Sequence, residues 1–539
     1  MYIETRHYGK GNKHVQHLLR ESIREGKKVS KRTILNITDW PPARLHVLRN
    51  ALKTQGEDAL ATFIAKADVH TEQGLSVGAL LLLQPLAKRI GIVSALGNDR
   101  QGTLALWQVL ARIIDQGSRL SAVRLAKEHA VSSVLGLPSF DEDALYENLD
   151  WLSGHQQEIE DRLFAFRGKG ACSLVLYDVT STYLEGVEND LAEYGYNRDK
   201  KKGKLQIVAG LLCDEEGFPL SVQLFAGNTS DTKTVSEQIK KAQERFGAKD
   251  VIFVGDRGML KGPQRAELLE HGFRYITALG KPEVETLLKK NIIQMSMFEE
   301  ELCEVLHDDR RFILRRNPVR QEEIQAGRAD KRAAVEKCIA VQHAYLSAHP
   351  LAKGETGMKK VQAKLTRLKC SWLTASLHGR TIVLTEDAEV LKDLSALDGC
   401  YVLMTDVSAT QMDRGTIHAR YKDLAKVERA FRTAKSCFLE IRPVYVRKES
   451  RTRGHALVVM LAYALVRELS RMWQSTDMTV EEGIHALSSL CLTHVRVGKD
   501  SSFDEVPLPR PSVQKLFSLA SVSLSTAIPT HNVATDPSR

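Results

Sequence analysis

The 539-residue sequence predicts a mixed α/β protein with a mainly helical N-terminal domain, and three observations carry that prediction. Five short apolar runs that end in polar or glycine-containing turns fall between residues 172 and 278, at the length and spacing of strands. Segments with a single apolar stripe at helical period separate the last of these runs, so strands there are joined by crossovers. Amphipathic helical patterning then flanks the block on both sides. A chain of 539 residues exceeds what one core supports, and at roughly 150 residues per domain about three units are expected.

Residues 1–165 open with a short polar, basic stretch and then read mainly as helices, with apolar periodicity at 104–114 and 118–130. From residue 172 the texture changes. CSLVLYDVT (172–180) is a strand ending in a polar turn, and LQIVAGLL (205–212) and PLSVQLF (219–225) form a hairpin through DEEG. Turn and cap residues at 228–231 start a helix over about 232–246, and VIFVGDRG (251–258) is an apolar strand stopped by Asp256 and Gly258. A helix over about 261–271 and the strand RYITA (274–278) follow. The order β-β-β-α-β-α-β sets an antiparallel meander beside a parallel crossover, because a strand returning through such a helix runs parallel to its neighbour. This is a ribonuclease-H-like layout, with residues 166–279 as its first part.

Residues 280–413 hold a hairpin (300–316), a highly charged helical stretch (319–368) and the apolar runs TIVLT and CYVLMTD. The segment is too long for a loop and is expected to be an inserted β-rich and helical subdomain. Residues 414–475 then complete the core with helices over about 421–438 and 451–473. In the C-terminal region, 476–539, composition turns Ser, Thr and Pro rich beyond about Phe503, which predicts a poorly ordered tail.

Composition excludes several classes. The 76 Lys and Arg against 67 Asp and Glu give a net charge of +9, which favours polyanionic partners. The eight cysteines lie far apart with no CxxC pair, and they read as reduced thiols of a cytoplasmic protein. No signal core opens the sequence and the apolar stretches are shorter than the roughly 20 residues a bilayer span needs, so no membrane partner is expected. Neither GxxxxGK[ST] nor GxGxxG occurs, which argues against a nucleotide cofactor.

Two carboxylates stand where predicted strands end, Asp178 after SLVLY and Asp256 after VIFVG. Neighbouring parallel strands bring such residues together beyond their carboxyl ends, and close like charges call for bound cations; hard oxygen ligands select Mg²⁺ or Mn²⁺. A third acid comes from YKDLAKVERAFRTAK (421–435), where Leu424, Val427, Phe431, Ala434 and then Phe438 step by 3, 4, 3 and 4, one buried helical stripe. Glu428 lies on its border, with Tyr421, Arg432 and Lys435 on the same side, a set suited to a metal-bound phosphodiester or simply to a solvated i,i+4 pair. From 421 to 454 there are ten Lys or Arg against four Asp or Glu, a phosphate track in character. A second basic cluster, RDKKKGK (198–204), is either another such contact or a solvated face, and Tyr194 and Tyr196 beside it read as packing or base-stacking residues.

These residues resemble the DDE transposases of bacterial insertion sequences. Asp178 in YDVTSTYLE, Asp256 in GDRG, and Tyr421, Glu428 and Lys435 in Y-x2-L-x3-E-x6-K are similar to the signature Y-x2-R-x3-E-x6-K of the IS-four superfamily, here with Leu424 in place of the Arg. GNTSDTKT (227–234), VERAFRTAK and RPVYV followed by RGHALVVMLAYAL look like its long-element subgroup, over about 165–470. The 172-residue spacing from Asp256 to Glu428 agrees with an insertion before the glutamate helix. The resemblance implies that Asp178, Asp256 and Glu428 hold two Mg²⁺ ions (Mn²⁺ substituting) as the catalytic and metal-binding residues. It also implies that Tyr421, Arg432 and Lys435 contact double-stranded DNA at element ends and target, and that a homodimer synapses two ends. The N-terminal domain is expected to bind DNA ends, to make dimer contacts, or only to cap the core. A structure-selective nuclease with the same core, or a DNA-binding derivative without catalysis, stays open at this point.

Overall fold

The computed structural model describes residues 1–9, 14–26, 28–52, 69–167, 173–199, 201, 203–246, 251–436, 438–443, 445–497 and 501–525. Cys172, Cys437, Lys200 and Lys202 of the features above, and the tail from 526 on, lie outside the described residues. The described chain forms two compact units, Met1–Gly74 with Cys491–Pro507, and Leu75–Leu490 with Leu508–Ser525.

The first unit departs from the helical expectation. Strands β1 (Tyr2–Tyr8), β2 (His14–Glu25) and β3 (Lys28–Asn36) form an antiparallel meander, with Tyr2 opposite Arg20 and Glu25 opposite Lys28. No apolar run announces these strands because little of them is buried: β3 is exposed along its whole length. Gly26, at φ +60°, takes the left-handed conformation that turns β2 into β3. Helix α1 (Pro42–Ala51) and strand β4 (Val69–Ser76) follow.

The second unit opens with α2 (Gly78–Arg89), α3 (Ile92–Leu96), α4 (Arg100–Ile114), α5 (Arg119–Glu128), α6 (Val131–Leu135), α7 (Glu142–Gly154) and α8 (Gln156–Phe166). Asp99, Ser118 and Asp141 cap α4, α5 and α7, their side-chain oxygens accepting from Gly102, Ser121 and Ala144 amides. Then come β5 (Leu174–Tyr183), β6 (Gln206–Asp214), β7 (Pro219–Ala226), α9 (Asp231–Phe246), β8 (Ile252–Val254), α10 (Gly262–Glu270) and β9 (Arg274–Ala278), in the predicted order. β5 pairs antiparallel with β6 and parallel with β8, and β8 parallel with β9. β5 does not end at Asp178: β6 stays paired with it as far as Tyr183 opposite Gln206, so Asp178 is mid-strand.

Residues 280–413 divide. After α11 (Lys281–Lys289), β10 (Cys303–His307) and β11 (Arg310–Arg316) form a hairpin. Next stand α12 (Pro318–Ala348), α13 (Gly354–Leu368), β12 (Leu373–His378), β13 (Thr381–Glu386), α14 (Ala388–Ala396) and β14 (Cys400–Thr405). β14 pairs antiparallel with β9, Leu403 opposite Ala278, and carries β11 and β10 outward, so the central mixed sheet runs β10-β11-β14-β9-β8-β5-β6-β7. Only α12, α13, β12 and β13 build a core of their own, around Val335, Val361, Trp372 and Ile382. Part of the expected insertion is therefore a continuation of the sheet.

Helices α15 (Arg414–Lys422) and α16 (Leu424–Lys435) replace the single helix read over 421–438; the Lys426 amide donates to the Asp423 carbonyl in a tight turn between them, which leaves Tyr421 in the last turn of α15. α17 (Glu449–Met472) is buried along most of its length and packs on α4, α7 and β7. After α18 (Val480–Ser488), β15 (Cys491–Val497) and β16 (Ser501–Glu505) join the first unit in the order β16-β15-β4. α19 (Pro511–Leu519) corrects the tail expectation: Val513, Leu516 and Phe517, at helical spacing, are buried, and the Trp473 indole N–H donates to the Leu516 carbonyl at 3.2 Å. The Ser-rich surroundings masked this short stripe. Among the described residues no helix is long and apolar enough to cross a membrane.

Gly454 sits where α17 meets α7, and a Cβ there would run into the Leu149 carbonyl oxygen. Gly454→Ala is expected to lower unfolding stability by about 1–3 kcal/mol through overpacking, measured by urea titration. A variant as stable as its parent would mean the two helices separate freely.

Candidate active site

The parallel register explains the first two acids. Leu176 of β5 lies opposite Val254, the last residue of β8, and Asp178 and Asp256 are each two residues further along their segments. A step of two keeps a side chain on the same face. Asp256 leaves the strand in a turn whose carbonyl accepts from the Met259 amide at 3.0 Å. The third acid arrives on α16, which packs on β5 through buried Leu424, Val427, Ala430, Phe431 and Ala434. Glu428 borders this stripe and is exposed, as is Asp256, while Asp178 is half-buried.

Asp178, Asp256, Glu428, Tyr421, Arg432 and Lys435 all line one cleft of about 1270 Å³. Its opposite wall comes from α11, α12 and β14, including Arg320 and Tyr401. Leu424, where the resembling signature has Arg, is a buried member of the stripe and also reaches the cleft.

Burial pushes the Asp178 carboxyl up to about 7, and the charges of Glu428 and Asp256 push the same way; the Val179 amide, donating to its Oδ1 at 2.8 Å, and Arg198 oppose them. The Tyr421 hydroxyl donates to Asp256 Oδ1 over a long 3.4 Å, and burial, with the Asp256 charge beside it, holds that phenol well above the usual range. Lys435 Nζ pairs with Asp199 Oδ1 at 2.9 Å, and Arg198 with Asp231 Oδ2 at 2.6 Å. Arg432 is exposed and makes no ion pair among the described residues. Arg198, Asp199 and Arg257 were not singled out by sequence reasoning; the basic run at 198–204 was the available signal for the first two, and Arg257 follows Asp256 directly. Tyr194 and Tyr196 are exposed at 67% and 85%, so neither packs into a core.

Among the described residues no three His, Cys, Asp or Glu side chains are grouped closely enough to hold a metal ion as they stand. The donor chemistry nevertheless fits a divalent cation: three carboxylates face one cleft, and the other two, Asp256 and Glu428, both raise the cost of charging Asp178 and are exposed side chains with rotational freedom.

A family model described as a transposase DDE domain matches residues 173–465, more than half of the chain and the whole span that carries the cleft's three acids. No curated protein matches. Among solved structures, a piggyBac transposase synaptic complex with hairpin DNA is similar at 8% identity and a TM-score of 0.36, covering 71% of this chain and 69% of that one. A Mos1 transposase paired-end complex with the left transposon end aligns at 12% identity and a TM-score of 0.15, over 32% of this chain and 57% of that one.

The raised Asp178 carboxyl has a consequence for stability. Its ordinary value is 3.8, so the favourable protonated form contributes fully below that pH and its contribution is lost as pH rises through about 7. With divalent cations chelated, Asp178→Asn is expected to be more stable than the parent at pH 8, on the order of 2–4 kcal/mol, with the gap closing toward pH 4. Urea unfolding at the two pH values measures this, and a gap independent of pH would show that Asp178 carries no such shift.

Proposed function

The chain belongs to the transposase DDE-domain family, and on that premise we propose that it binds the ends of an insertion sequence of the IS-four type, cleaves there by hydrolysis and joins the freed 3′-hydroxyl to target DNA. The observation that carries this reading is the convergence of Asp178, Asp256 and Glu428 on one cleft with cationic side chains on its rim. On this reading the central sheet is a ribonuclease-H-like core, the working form is a homodimer that synapses two ends, and the setting is the bacterial cytoplasm.

Asp178, Asp256 and Glu428 would hold two Mg²⁺ ions, or Mn²⁺, which when bound supply neutralisation of phosphate charge and polarisation of water. The Tyr421 hydroxyl orients the Asp256 carboxylate through its hydrogen bond. Arg432 binds backbone phosphate, and Lys435 does so by exchanging Asp199 for a phosphate oxygen. Asp178, desolvated and inclined to keep its proton, gives it up as the acids are neutralised.

In the first step water attacks phosphorus, an O–P bond forms, the P–O3′ bond breaks, and a 3′-hydroxyl is released with a 5′-phosphate opposite. In the second that hydroxyl attacks a target phosphodiester in line, the new O3′–P bond forms as the target's P–O3′ bond breaks, and a target 3′-hydroxyl leaves. Positioning and electrostatics suffice for both, with no covalent protein intermediate.

With its own element ends and Mg²⁺, the parent is expected to give both cut and joined products, and Asp256→Ala neither, while Asp256→Ala still binds the ends. Cut product alone from the parent would favour a nuclease, and cleavage by Asp256→Ala at the parental rate would sink the assignment. Lys435→Ala is expected to weaken binding and to make the slope of log affinity on log salt shallower by about 0.9, read from binding isotherms at several salt concentrations. An unchanged slope would leave Lys435 bound to Asp199 throughout.

A further inference from the structure

A second pocket, of about 280 Å³, lies between the α4–α5 turn, the segment before α17, and α17 itself, and shares no lining residue with the acid-lined cleft. Two arginines dominate it. Arg112, in the last turn of α4, and Arg119, the first residue of α5, are each only 5% exposed. Neither forms an ion pair among the described residues. Arg112 Nη1 donates to the Gln116 carbonyl, while its Nε is buried with no hydrogen-bond partner. Arg119 Nη2 donates to His455 Nδ1 at 2.9 Å, and His455 Nε2 donates to the Glu440 carbonyl at 3.1 Å. Those two bonds fix the ring in its neutral form, and burial keeps it from charging.

Two acids, Asp115 and Glu440, also line the pocket and their charges reach Arg112, but their hydrogen bonds go to other groups. Glu440 takes Arg442 Nε at 2.6 Å on its Oε1, and exposed Asp115 takes the Ser121 hydroxyl at 2.7 Å. Burial lowers Arg119 to about 9 and Arg112 to about 10, so both stay charged at neutral pH. Two buried guanidinium groups with no carboxylate in ion-pair contact among the described residues, Arg112 sensing only the longer-range charges of Asp115 and Glu440, are costly for a fold to carry. The pocket is also walled by Gly117 and Ser118 at the start of α5, where the helix dipole favours negative charge.

We propose that this pocket is a binding site for a phosphate group, gripped by the planar forks of Arg112 and Arg119 over the first turn of α5. The forks suit a tetrahedral oxyanion because each offers paired N–H donors, and the orphaned Arg112 Nε supplies one of them. The phosphate belongs either to a DNA strand or to free inorganic phosphate, and both satisfy the same donors. The proposal does not rest on the function assigned to the acid-lined cleft.

The test titrates the full chain with inorganic phosphate at pH 7.5 and constant ionic strength, chloride being the reference anion, and reads heat of binding and unfolding temperature. Phosphate is expected to bind and to raise the unfolding temperature of the parent and of Lys359→Ala, an exposed position on α13 that lines neither cavity. Arg112→Gln and Arg119→Gln are expected to lose at least about tenfold in affinity. If either fails to fold, Arg112→Lys, which keeps the charge without the fork, is expected to bind severalfold more weakly. A source in DNA is read as loss of the phosphate response when duplex DNA saturates the protein, with a duplex salt slope shallower by about 0.9 in Arg112→Gln. A free-phosphate source leaves the response intact on the DNA-bound protein. No phosphate-specific response in the parent, or a response undiminished in a folded Arg112 or Arg119 variant, overturns the proposal.

Discussion

The packing of α16 on β5 is the contact on which the cleft depends. Its buried stripe, from Leu424 to Ala434, seats the helix on the sheet, and the border position of Glu428 then brings a third carboxylate to two already aligned by the parallel register of β5 and β8. Apolar burial thus enforces an electrostatically unfavourable arrangement. That tension shows at Asp178, whose carboxyl is lifted first by desolvation and then by its two acidic neighbours. A site that stores unfavourable charge on a rigid scaffold is poised for a cationic ligand, because binding removes the repulsion that folding imposed.

The surrounding cations are arranged differently from the acids. Lys435 and Arg198 are held by Asp199 and Asp231 at the mouth of the cleft, whereas Arg432 is solvated and unpaired by carboxylate among the described residues. Such exposed or half-exposed pairs are weak, so a polyanion can displace the carboxylate partners at little expense. The opposite wall comes from the strands and helices of 280–413, where β14 docks on β9 and carries Tyr401 to the cleft. The intervening segment therefore shapes the site as well as separating Asp256 from Glu428 along the chain.

Arg112 and Arg119 show the same principle with the sign reversed. In the cleft, crowded acids make no ion pair among the described residues; in the second pocket, buried guanidinium groups make none either, and Arg119 donates instead to a neutral histidine. Both places are polar groups that the fold leaves unbalanced by its own residues, and unbalanced buried charge is where a ligand gains most.

The sequence by itself determined the mixed α/β class, the strand–helix order from 174 to 278, the stripe on the glutamate helix and the identity of the acidic and basic candidates, because period, caps and strand-ending polar residues are local signals. Tertiary structure alone decided the rest. The exposed strands of residues 2–36 carry no apolar run, and β10, β11 and β14 join the central sheet only through pairings with a strand distant in the chain. The break at Asp423 comes from one tight turn inside an uninterrupted stripe, α19 is a stripe too short to outweigh its Ser-rich surroundings, and the meeting of Arg112 with Arg119 and His455 spans more than 330 residues. Hydrogen-bond partners and desolvation are properties of neighbours in space, and a linear pattern states only which residues are available to become them.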